Sequence, residues 1–101
     1  MERAILVTVD LGRREGWSAE ESAAELKELA VSAGATVVDE VIARRHSVDP
    51  AQFIGKGKAE EIGRLCADKK ANIVIFNNDL SGSQQKNLEE AMRQKTIDRT
   101  Q

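Results

Sequence analysis

The sequence predicts an α/β domain built on a four-stranded parallel sheet in the order 2-1-3-4, three layers deep with helices on both faces. Three observations lead there. Short apolar, β-branched runs alternate with helical stretches from end to end, giving βαβαβαβ. The first and third runs are almost purely apolar, as central strands should be, whereas the second and fourth carry charge, as edges should. The length of 101 residues suits one domain and not two.

The first strand is "AILVTV" (4–9), a short continuous apolar run. "RREGW" (13–17) reads as a polar loop, and Ser18 followed by Glu21 is a capping box that starts a helix. Leu26, Leu29, Ala30 and Ala33 share a face of that helix, and Gly34 stands where a helix-terminating glycine belongs. "TVVDEVIAR" (36–44) is the second strand, an edge because of Asp39 and Glu40. Residues 45–57 form a long connection in which Pro50 forbids a continuous helix. A second helix spans roughly 58–69, with Ile62, Leu65, Cys66 and Lys69 on one stripe. "NIVIF" (72–76) is the third strand. Ser81 with Gln84 caps a third helix that turns Leu88, Ala91 and Met92 inward, and "KTIDR" (95–99) is the last strand.

Net charge is −2 and the pI about 5.4, which excludes a globally basic nucleic-acid binder but leaves room for a local basic patch. The single cysteine, Cys66, rules out an internal disulfide or a multi-cysteine metal site and fits a reducing, cytoplasmic compartment. Its spacing from Ile62 makes it a core residue rather than a nucleophile. No run approaches the roughly 20 apolar residues of a membrane helix.

Two places could carry chemistry. In an open parallel sheet, ligands sit beyond the carboxyl ends of the strands where strand order reverses, which brings Asp10 near Asn77, Asn78 and Asp79. The second place is "FIGKGKAEEI" (53–62), whose Gly55, Lys56, Gly57 and Lys58 precede a helix, with Arg44 and Arg45 upstream. It is not a P-loop, because Pro50 stands five before Gly55 and neither lysine precedes Ser or Thr. A dinucleotide-binding G-x-G-x-x-G fails as well, since Glu60 occupies the third glycine position. A basic loop on a mobile connection remains, suited to phosphate contact without base readout. No catalytic constellation and no metal-ligand set emerge. The competing reading is an adenine-nucleotide domain, with the base at the strand ends and its phosphates at Gly55 and Gly57.

Together, "VDPAQFIGKGKAEEI", "IVIFNNDLSGSQQKNLEEAM" and "IDRT" resemble the N-terminal domain of the HflX family of ribosome-associated GTPases, over nearly the whole chain. The departures are small. Gly82 replaces a proline common after the first serine, Phe53 a frequent tyrosine, and Asp79 a common glutamate. The resemblance implies that "DRT" leads into a helical region and a separate GTPase domain, which would hold GTP and Mg2+. This chain, without a P-loop, would not hydrolyse GTP. Its implied partners are the 50S ribosomal subunit with its rRNA and the parent's own GTPase domain, with no membrane or DNA. The implied setting is the cytoplasm, where such proteins split ribosomes under stress. Some members are also reported to bind or hydrolyse ATP through this region.

Overall fold

The computed structural model describes residues 2–12 and 18–99; the predicted polar loop 13–17 lies outside them. The elements follow as β1 (Arg3–Asp10), α1 (Ala19–Ser32), β2 (Thr36–Arg44), α2 (Lys56–Lys69), β3 (Ile73–Phe76), α3 (Gly82–Met92) and β4 (Lys95–Asp98). The sheet is parallel throughout, in the order β2-β1-β3-β4. This is the predicted architecture, and the polarity of the strands explains it. Ala4 to Val9 of β1 are all buried, as are Ile73, Val74 and Phe76 of β3. The flanking strands expose Glu40 and Lys95.

One face of the sheet is covered by α1, whose Leu26 and Ala30 pack on Ala4, Leu6 and Ile73. The other is covered by α2 and α3, whose Ala59, Ile62, Cys66, Leu88 and Met92 pack on Ile5, Val7, Val74 and Phe76. Where β2 leads to β3, the chain reverses its direction across the sheet, so right-handed crossovers require the change of face. Both predicted capping boxes are present, at Ser18/Glu21 and Ser81/Gln84. The end of α1 is closed by Gly34 at φ +94°, with Ala35 N–H donating to Ala30 carbonyl.

The α1 face is narrower than predicted. Ala23, Leu26 and Ala30 are buried, while Leu29 is 57% exposed and Ala33 lies at the exposed helix end. A helix seated mainly over β1 and β2, and reaching β3 at Ile73, needs no wider stripe. Lys69 is likewise exposed, at the end of α2, where the side chain of Arg3 donates to the carbonyls of Lys69 and Lys70. An unpredicted close contact joins α2 to α3. Gly63 faces the backbone of Met92, and a Cβ there would stand 3.1 Å from Met92 Cα.

The connection between β2 and α2 is tied to the body of the domain by buried side chains and hydrogen bonds. Phe53 and Ile54 are buried, and Phe53 meets the ring of Phe76 edge-on at 6.1 Å. The backbones of Asp49 and Phe53 hydrogen-bond reciprocally. From α3, Gln84 Nε2 donates to the Asp49 carbonyl and Asn87 Nδ2 to the Ala51 carbonyl. The side chain of Asp49 accepts from the amides of Ala51 and Gln52 at 2.7 and 2.8 Å.

Those two amides, Gln52 first, hold the Asp49 carboxyl below the ordinary aspartate range, and Arg45 adds to the effect. A carboxylate favoured in the folded state stabilises it above the unfolded pKa, and the contribution is lost as pH falls through the lower folded value. The amide resonances of Ala51 and Gln52 should therefore shift together with a midpoint below about 4, the free aspartate value. In Asp49→Asn that titration should vanish, which NMR reads directly.

Candidate functional site

The helix α2 starts two residues earlier than the sequence suggested, so Lys56, Gly57 and Lys58 form its first turn rather than a loop before it. Gly55 is the N-cap, at φ +84° and ψ 155°, and contributes no side chain to the helix start. Ala59 N–H donates to the Gly55 carbonyl, which leaves the three preceding amides as the outward-pointing end of the helix. No acidic residue lies in this turn. Lys56 and Gly57 are exposed, and among the described residues no ion pair engages Lys56. Lys58 is paired with Glu61, one turn on, at 2.6 Å, and it holds the Glu61 carboxyl below its usual range.

The two upstream arginines part company. Consecutive residues along a strand point to opposite faces, so neighbours in sequence need not share a site. Arg45 turns towards α2: its Nη1 donates to the Ile54 carbonyl at 2.6 Å and its Nε to Ser47. The guanidinium lies where a Cβ on Gly55 would come within 3.2 Å of it, so its charge sits beside the start of α2. Arg44 turns the other way, pairing with Asp10 and with Glu20 on α1. Glu20 is held below the ordinary carboxylate range, first by its own backbone amide and then by Arg44. Of the six residues expected at the basic site, five are brought together, and Arg44 belongs with the strand ends.

At those ends the four expected residues do meet, around an open cleft of about 1130 Å³ whose lining includes Asp10, Asn77, Asn78 and Asp79. Much of their polarity is used internally. Asn77 N–H donates to the Val7 carbonyl and its side chain to Thr8 Oγ1. The Asn78 side chain accepts from Val9 N–H and donates to Val9 carbonyl, prolonging the pairing of β1 with β3 beyond Phe76. Asp10 accepts from Gly12 N–H. Glu20, Glu21 and Arg99 also line the cleft; Gly55 to Lys58 do not.

The sequence reading missed the partners Glu20 and Glu61. The i,i+3 spacing of Lys58 and Glu61 was a usable signal, whereas Glu20 and Arg44 meet only through the packing of α1 on β2. Among the described residues no group of three or more His, Cys, Asp or Glu could hold a metal ion. No described helix is long and apolar enough to cross a membrane. Cys66 is fully buried, and burial pushes its thiol up, the opposite of nucleophile activation.

Comparison with known proteins agrees with the architecture. The family model described as "GTP-binding GTPase N-terminal" matches residues 20–101. The GTPase HflX of Caldanaerobacter subterraneus subsp. tengcongensis is 43% identical over 98% of this chain, and that of Alkalihalophilus pseudofirmus 39% over 100%. The GTPase HflX of Escherichia coli is 32% identical over 98% of the chain. In these relatives the aligned part is 22%, 24% and 22% of their own length, so the chain spans less than a quarter of each. With a family model over most of its residues and such relatives along its whole length, the chain belongs to the HflX family and is an HflX N-terminal domain.

Proposed function

We propose that this domain is a non-catalytic ribosome-binding and regulatory module of an HflX-type GTP-binding protein, contacting rRNA phosphates of the 50S subunit through the start of α2. The observation that carries the reading is the contrast between helix starts. Both α1 and α3 close theirs with a capping box, whereas α2 opens on a bare glycine and two lysines. The positive end of a helix dipole disfavours nearby cations. A phosphate would supply the missing negative charge and accept from the free amides. Arg45 lies alongside, whereas Arg44, paired with Asp10 and Glu20 on the other face, takes no part. On this reading GTP and Mg2+ belong to a GTPase domain outside this chain, and the module acts in the cytoplasm.

Replacing Lys56 and Lys58 together with alanine should weaken binding to 50S particles. It should also reduce the slope of log K against log salt by roughly 1.4, about 0.7 for each contact to single-stranded RNA. An unchanged slope would remove the assignment to this turn.

The cleft favours a second reading, an adenine-nucleotide site, because it lies at the switch point of the sheet. Among the described residues, however, its rim sets Asp10, Glu20, Glu21 and Asp79 against a single cation, Arg99, and includes none of the lysines of α2. Calorimetry with ATP distinguishes the two. Heat that persists in the double lysine variant would support the cleft.

A further inference from the structure

Around Ile42 the sequence of the edge strand is antisymmetric in charge. Moving outward, Val41 matches Ala43, Glu40 matches Arg44, and Asp39 matches Arg45. We infer that two copies of the chain pair through β2, antiparallel about a two-fold axis at Ile42, and join their four-stranded sheets into one continuous sheet. In that register Glu40 of each copy faces Arg44 of the other and Ile42 faces its own mate, while Arg45, just past the strand, stays committed to the Ile54 carbonyl.

The backbone is arranged for this pairing. Thr36 N–H donates to the Glu2 carbonyl and Arg45 N–H to the Asp10 carbonyl, with a register irregularity opposite Ala4 and Ile5. Counting back from Arg45, alternation turns the N–H and C=O groups of Glu40, Ile42 and Arg44 away from β1. These three residues would form the close hydrogen-bonded pairs, roughly six bonds in all. No described element pairs with that side of β2, and the connection after it runs off towards α3.

The side chains agree with the backbone. Glu40 and Arg44 lie on the α1 face, where Lys27 and Glu20 reach them, and their side chains stay 37% and 61% exposed. Directly opposed residues of antiparallel strands share a face, so the two copies of α1 would lie on the same side of the joined sheet. Val31, one turn beyond Lys27, is 54% exposed and would border the junction.

The charges also select the register. Centring the pair on Val41 sets Glu40 against Ile42 and Asp39 against Ala43, while centring it on Glu40 sets that carboxylate against its own copy. Long edges that are not meant to pair are usually blunted by charge. Here the charges are placed so that one pairing is attractive and its neighbours are not.

Sedimentation equilibrium of the 101-residue chain at low salt, from about 10 µM to about 1 mM, should reveal a dimer that weakens as salt rises. Glu40→Lys sets like charges opposite Arg44 and should weaken association at least tenfold, roughly, with the circular dichroism unchanged. Ile42→Pro should abolish the dimer without taking a hydrogen bond from β1. Ile42→Cys places two thiols at an expected Cα separation of about 5.5 Å, and should oxidise to a covalent dimer far faster than Glu90→Cys on α3. Should Ile42→Pro fail to fold, the lysine and cysteine variants still decide. A chain that stays monomeric across the range overturns the inference and leaves the edge to a strand of another protein. So does a dimer indifferent to Glu40→Lys, or cysteine variants that cross-link at equal rates.

Discussion

Phe76→Ala should destabilise the domain by about 3–5 kcal/mol, the usual cost of emptying a buried phenylalanine site. Phe76 is completely buried on β3, among the largest side chains so enclosed, and is the surface on which Phe53 rests. Its loss removes a pillar shared by the central sheet and by the connection that delivers Gly55 to the start of α2. Small domains are stable by only about 5–15 kcal/mol in total, so the variant should sit close to its unfolding threshold. At about 4–8 °C per kcal/mol, thermal melting followed by circular dichroism should fall by well over 10 °C. A drop of only about 1 kcal/mol, typical of an ordinary site, would show that Phe53 and Ile54 hold the connection without it. Phe76→Leu, which keeps most of the apolar volume, should be milder.

The second large effect is at Gly55. Its φ of +84° with ψ of 155° lies where residues with a Cβ are strained, and the new Cβ would meet the Arg45 guanidinium at 3.2 Å. Gly55→Ala should cost about 1–3 kcal/mol, read as a fall in the denaturant midpoint. It should also push Arg45 off the Ile54 carbonyl, and so disturb the basic turn. Gly57→Ala should do the reverse. Gly57 lies inside the helix without positive φ, and a Cβ there meets nothing within 4 Å. Alanine at 57 should add about 0.5–1 kcal/mol of stability. Two glycines separated by one residue would thus respond with opposite signs. Equal responses would contradict the described helix start.

The fold was legible because its signals are local. The capping boxes at Ser18 and Ser81 announce their helices, and the polarity of each strand reports how many neighbours cover it. The start of α2 was misread because Gly55 and Gly57 look like loop and no capping side chain marks the boundary. Its end, like that of α3, falls at a left-handed non-glycine residue, Lys70 and Arg93 respectively, and composition does not advertise this. At the candidate site, the lysines and glycines stand out in the sequence as a cluster. The separation of Arg44 from Arg45 depends on the phase of a strand. The anchoring of residues 49–53 depends on contacts more than thirty positions away in sequence, from Gln84 and Asn87.

The identity of residue 84 illustrates how much rides on one atom. A capping box is satisfied by glutamate or glutamine alike, because only an acceptor oxygen is required, and Gln84 Oε1 fills that role for Ser81 N–H at 2.9 Å. The amide has a second end, and its Nε2 is what reaches the Asp49 carbonyl at 3.2 Å. A glutamate would complete the cap equally well and present an acceptor to an acceptor. The preference for nitrogen over oxygen at this single position therefore decides whether α3 merely begins or also holds, from a distance, the segment that aims the lysines of α2.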